Sequence, residues 1–301
     1  MYHLAKIFPA IRRIPVPFSR DQVMMLMLAL NFLLLSVETY LAHLVSGTIV
    51  LNEWIPILFS PTAGVVLLLA GILSFRKRNL AVILANVVFI ASMVVGLLGA
   101  YFHLIRAILP DAPAGQQASV PLFIWAPPIL APLVFVLIGW IGISTVWTEE
   151  PVDSGKLVLL GGKAVQMPLS KTRTFFFLTS IGCLSTVISS VLDHSRTDFS
   201  NAWLWVPTIV GIFAATVAFV LGLYENPTRA DLITYFCAMV LMIFTGVVGL
   251  YLHIQIDLTS RGELVIERMI QGAPFMAPML FADIGAIGLI ALLNPVKVSR
   301  E

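Results

Sequence analysis

The sequence predicts an all-α integral membrane protein of eight transmembrane helices, folded as two parallel four-helix repeats with both termini inside. Three observations carry that expectation. Hydrophobic residues make up 59% of the chain and charged residues 11%, against roughly 25% charged in a soluble domain. The apolar residues come in blocks long enough to cross a bilayer. The second half of the chain also restates the first. His43, Trp54 and Pro56 recur as His194, Trp205 and Pro207 at an offset of 151. Gly96, Gly99, Tyr101 and His103 recur as Gly246, Gly249, Tyr251 and His253 at an offset of 150. Pro128, Ala131, Pro132, Phe135, Gly139 and Gly142 recur as Pro274, Ala277, Pro278, Phe281, Gly285 and Gly288 at an offset of 146. Only 5 His and 6 Trp occur in 301 residues, so matched pairs in the same order mark a duplication.

Residues 1–21 are basic and interrupted by Pro9, Pro15 and Pro17. No small-residue cleavage site follows the first apolar run, so this segment reads as a cytoplasmic interfacial stretch leading into the first span. Repeat 1 covers 22–145, with spans at 22–44, 54–75, 80–104 and 122–145. A cytoplasmic linker, 146–171, carries Glu149, Glu150 and Asp153 and a small hairpin of Lys156–Leu160 and Lys163–Met167 about Gly161-Gly162. Repeat 2 covers 172–293, with spans at 172–192, 203–224, 231–253 and 273–293, and a cytoplasmic tail runs over 294–301. The outer loop 105–121 holds Pro110, Pro113 and Pro121 and reads as extended; its counterpart 254–272 includes a short surface helix over 262–271.

An even number of spans per repeat gives both halves the same orientation, related by an axis along the membrane normal. Of the 18 Lys and Arg, 14 fall on the side of the N-terminus. Only Arg106, Arg196, Arg261 and Arg268 fall opposite, which sets both termini in the cytoplasm and the chain in the plasma (inner) membrane. Trp54, Trp125, Trp203 and Trp205 gather near the outer boundary as an aromatic belt. Cys183 and Cys237 lie inside spans and form no CxxC pattern.

With that topology His43, His103, His194 and His253 all reach the outer ends of odd-numbered spans. Thr39 and Ser190 stand four residues before His43 and His194, one helical turn below the ring. Gly96 and Gly99 lie beneath His103, and Gly246 and Gly249 beneath His253. Such glycine faces have two uses. They can seat the flat face of a haem whose iron the imidazoles bind, or they can let two helices approach closely. A mononuclear transition-metal site would need the same four histidines without the glycines. The Pro128–Gly142 and Pro274–Gly288 stripes follow a 4-3-4-3 spacing and mark kinked helix faces, as a cavity wall, a hinge or a packing surface.

Two acids break the symmetry. Asp283 falls near the middle of the last span where repeat 1 has Leu137, and Glu38 falls about a turn inside the first span where repeat 2 has Ser189. A carboxylate in hydrocarbon is costly, so both are candidate functional groups, with Asn31 or Asn86 as partners for Asp283. The chain lacks a Walker A motif, a nucleophile elbow, a dinucleotide-binding fingerprint and any nucleic-acid-binding pattern. Three functions remain. The first is a redox protein with haem or a metal at the outer face and an outer-face electron partner. The second is a small-solute or ion transporter using Asp283. The third is a non-catalytic anchor of a membrane complex.

Overall fold

A computed structural model of the chain describes residues 3–13, 18–45, 47–259, 272 and 274–295. The short helix expected over 262–271, the tail beyond 295, and Arg261, Arg268, Lys297 and Arg300 lie outside these residues.

The molecule is a helical bundle. A short helix α1 (His3–Ile7) is followed by α2 (Arg20–Val45), α3 (Trp54–Leu73) and α4 (Arg78–Arg106). Next come α5 (Val120–Trp125) and α6 (Leu130–Val146), then three short strands, β1 (Thr148–Glu149), β2 (Lys156–Val158) and β3 (Ala164–Gln166). The chain continues through α7 (Lys171–Ser195), α8 (Val206–Leu223), α9 (Arg229–Thr259) and α10 (Met279–Ala291). Six of the helices (α2, α3, α4, α7, α8 and α9) are long and apolar enough to cross a membrane. The expected spans over 122–145 and 273–293 differ from this pattern: α6 and α10 are apolar but have only 17 and 13 residues.

The prolines are the reason. Pro127 and Pro128 lie in the break between α5 and α6, Pro132 sits in the first turn of α6, and Pro274 and Pro278 precede α10. A proline is harmless in the first helical turn, where its missing N–H would have no partner. The stripes therefore start helices rather than kink spans.

Helix starts at the α1 end are capped as sequence chemistry requires. Ser19 and Gln22 exchange backbone-to-side-chain bonds at the head of α2, and Thr228 and Asp231 do the same at the head of α9. Ser170 accepts from the Arg173 N–H at the head of α7.

Close pairs form between α2 and α3, α4 and α6, α7 and α8, and α9 and α10. At the centre α2, α6, α7 and α10 pack on one another. Their inward faces make the core: Met24, Leu28 and Phe32 with Phe135, Phe175 and Phe281. Outward faces are apolar too, for example Leu26, Leu30 and Leu34 on α2 and Ile83, Val87 and Ile90 on α4. A helix apolar on all sides suits lipid on its outer face and protein on its inner one. The strands form an antiparallel sheet in the order β1-β2-β3, with Leu157 opposite Val165 and Glu149 opposite Leu157.

Candidate functional site

Asp283 is the fifth residue of α10. The Gly285 and Gly288 face of that helix lies on α9, against Met239 and Ile243. Asp283, roughly 200° round from Phe281 at 100° per residue, turns instead to α2. There Asn31 Nδ2 donates to its Oδ2 at 3.0 Å. Asn86 is committed elsewhere, its Nδ2 donating to the Val82 carbonyl of its own helix. Asn31 is buried and Asp283 half-buried. Glu38, two turns along α2 from Asn31, lies within electrostatic reach of Asp283. The two acids that the sequence singled out thus share one helix interface.

The counterpart contact is apolar. At the sequence offsets, Asn31 corresponds to Gly182 on α7 and Asp283 to Leu137 on α6. A Cβ on Gly182 would stand 3.2 Å from Leu137 Cδ2 and 2.7 Å from Ile284 Cδ1. Where α2 and α10 hold an amide–carboxyl pair, α7 and α6 hold a methyl-to-glycine contact.

The histidines lie together at the opposite end of the bundle from α1, in two pairs. The rings of His43 and His103 have centroids 6.5 Å apart, and His194 and His253 lie within electrostatic reach of each other. In each ring Nδ1 faces a backbone carbonyl: Thr39 at 2.7 Å, Pro128 at 2.9 Å, Leu204 at 3.1 Å and Pro274 at 3.1 Å for His43, His103, His194 and His253. A carbonyl only accepts, so Nδ1 carries the proton in the neutral ring and Nε2 holds the lone pair. The prolines that start α6 and α10 supply two of these carbonyls. The Thr39 hydroxyl does not orient His43; it bonds the Leu35 carbonyl. Ser190 does approach His194, at 3.4 Å.

The space expected beneath His103 and His253 is filled. A Cβ on Gly96 would meet Pro132 O at 2.8 Å, and one on Gly99 would meet Pro132 Cβ at 2.7 Å. On α9, Gly246 and Gly249 meet Pro278 in the same way, at 2.8 Å from its O and 2.7 Å from its Cβ. These four glycines seat α6 and α10 rather than a macrocycle. Among the described residues no group of three or more His, Cys, Asp or Glu is placed to hold a metal ion.

One constellation escaped the sequence reading. At the α1 end of the bundle Arg20 is fully buried, its Nη1 donating to Thr172 Oγ1 at 2.6 Å with its guanidinium 5.0 Å from the centre of the Phe175 ring. Lys171, also buried, donates to Asp21 Oδ2 at 2.6 Å and to the carbonyls of Thr145 and Trp147 at the end of α6. Glu149 accepts three backbone N–H bonds, from Asp153, Gly155 and Lys171, and so fixes the linker sheet to the head of α7. In sequence these charges look like ordinary topology markers at span ends. Only the offset of 151, which pairs Arg20 with Lys171 and Asp21 with Thr172, hinted at more.

No family model matches the chain, and no curated protein or solved structure matches it either.

Proposed function

We propose that the chain is a plasma-membrane transporter of a small ion, built from two parallel four-helix units with both termini in the cytoplasm, and that Asp283 is its ion-carrying group. One observation carries this reading: Asn31 on α2 holds Asp283 on α10 across the interface between the two units, where the counterpart contact of Gly182 and Leu137 is apolar. A carboxyl within a membrane-spanning bundle is functional by default. The helix breaks agree with it. Transporter sites gather where corresponding helices of two repeats are short or Pro-interrupted, and α6 and α10 are those helices.

The test is charge movement. Vesicles holding the purified chain should pass current under an imposed potential, and Asp283→Asn should lose it while remaining monodisperse. Equal currents in both would end the proposal.

A second reading keeps one specific support: four imidazoles at one end of the bundle, each anchored through Nδ1 on a backbone carbonyl. Ligand histidines are commonly held by a bond at the other ring nitrogen. On that reading a haem or transition metal joins the histidine pairs and exchanges electrons with a partner at the outer face. An absorption spectrum and metal assay of the purified chain decide it, since a folded, colourless, metal-free protein would exclude it.

A further inference from the structure

We infer that the ion carried by Asp283 is the proton, with Asn31 as the residue that positions its carboxyl in both the charged and the neutral state. This rests on the transport reading above.

The chemistry of the contact points that way. An amide has two N–H donors and a carbonyl acceptor. Facing a carboxylate, Asn31 donates from Nδ2 to Asp283 Oδ2, the bond seen at 3.0 Å. Facing the protonated acid, the same amide turned about its last torsion accepts the carboxyl O–H. The site is satisfied before and after the proton leaves, so neither state leaves an orphaned polar group in the interior. A metal cation would find the opposite. The Asn31 N–H takes one of the Oδ2 lone pairs and points a hydrogen into the space beside it, which leaves Oδ1 as the oxygen open to such a cation. Hard cations also gather six or more oxygen ligands, and among the described residues the side-chain oxygens that face Asp283 from α2 are those of Glu38 and the Asn31 amide. Leu28, Phe32 and Leu35 on α2 and Ala282, Ile284 and Ile287 on α10 are buried and apolar. The hydroxyls of Ser36 and Thr39 are spent on carbonyls of α2 itself.

Among the described residues the charged and titratable groups around Asp283 are few. From α2 it faces Glu38, a second carboxyl able to take or give the proton. On the α9 side of α10, Tyr235 donates its hydroxyl to the Gly288 carbonyl, and Cys183 of α7 lies near Tyr235. Glu38 lies on the histidine side of Asn31, five residues before His43. Toward α1, Met24 and Leu28 are fully buried between Asn31 and Arg20, whose Nε donates to Asp21 Oδ1 at 3.2 Å. In this structure Glu38 thus lies between Asn31 and the histidine face, and buried apolar side chains separate Asn31 from the α1 face.

The experiment uses the full chain in vesicles of phosphatidylethanolamine and phosphatidylglycerol, with a pH-sensitive dye in the lumen and a potassium diffusion potential. Luminal pH and membrane current are read together, in choline buffer and again in sodium buffer. Wild type should show a potential-driven pH change in choline buffer that sodium does not alter. Asp283→Asn and Asn31→Leu should fall to the level of empty vesicles. Asn31→Gln, which keeps an amide that donates and accepts, should retain flux, an outcome that a purely steric role for Asn31 does not produce. Current that needs sodium and leaves luminal pH unchanged would overturn the proton assignment and leave ion transport standing. Absence of both current and pH change in either buffer would overturn both.

Discussion

Arg20 and Lys171 stand 151 residues apart in the chain and reach across each other in the fold: Arg20 bonds Thr172, and Lys171 bonds Asp21, each at 2.6 Å. Each cation binds the residue that follows the other. Such reciprocity is what a two-fold axis produces, where residue i meets j and j meets i. It supports the proposal that the halves are related by an axis passing between α2 and α7. The pair is not a copy, because Asp21 gives one arm an ion pair and Thr172 gives the other a neutral hydroxyl.

Removing Lys171 should therefore be costly. Lys171→Met leaves Asp21 Oδ2 and the carbonyls of Thr145 and Trp147 without this donor, while Arg20 Nε still donates to Asp21 Oδ1 at 3.2 Å. Breaking one side of a buried ion pair costs about 3–5 kcal/mol, and Asp21 retains Arg20 and some water, so the lower end is expected. Thr172→Ala removes the hydroxyl that accepts from Arg20 and donates to Asp153 and should cost about 1–3 kcal/mol, less than the lysine because no ion pair is broken. Thermal denaturation in detergent, read for both variants, checks the order; a Lys171→Met protein as stable as wild type would show that the clasp holds nothing.

The glycines give a paired stability experiment. Gly96→Ala and Gly246→Ala each push a Cβ to within 2.8 Å of the backbone of the facing helix, and overpacking of this kind costs about 1–3 kcal/mol. Gly71→Ala meets nothing within 4 Å and should be neutral or better by up to about 1 kcal/mol, the helix preference of Ala over Gly. If all three melt alike, α4 and α9 do not depend on close contact with α6 and α10.

Docking of α1 should respond to pH. His3 is half-buried beside Phe176, its buried Nδ1 has no hydrogen-bond partner among the described residues, and desolvation lowers its pKa from 6.5 to about 4 even though Asp153 opposes the shift. The docked helix thus favours the neutral ring. Its docking is at full strength above pH 6.5, weakens as the pH falls from there, and reaches its floor below about 4. Hydrogen exchange over residues 3–7, corrected for intrinsic rates, should speed up across that window in wild type and lose the dependence in His3→Phe. A rate that instead slows as the pH falls would reverse the sign of the argument.

Much of this was legible in the chain because each signal was local. Apolar run lengths announced the long helices, and the 100° period alone turns Asp283 about 200° from Phe281. Asn31 was readable only as one of two partners, since choosing it over Asn86 needs the relative placement of α2 and α10. Pro128 and Pro274 were read as kinks because a proline inside an apolar run looks the same whether it bends a helix or begins one. What separates the cases is where the preceding loop ends. The Gly96 and Gly246 faces were open to two readings for a related reason: sequence shows that a side chain is missing but not what fills its place. Arg20 and Lys171 were hidden because a cation at a span end already has an adequate explanation in topology, and burial of that cation depends on the helix 151 residues away.

The most direct test borrows its substitutions from the molecule itself. Asn31→Ala combined with Asp283→Leu makes the α2–α10 interface resemble the apolar contact of Gly182 and Leu137. Replacing a buried polar pair with packed apolar groups is often neutral or stabilising, so a pair kept only for structure is dispensable. The double variant should melt no lower than wild type and pass no ion current in vesicles. Wild-type current in that variant would contradict the account, because Asp283 would then carry nothing.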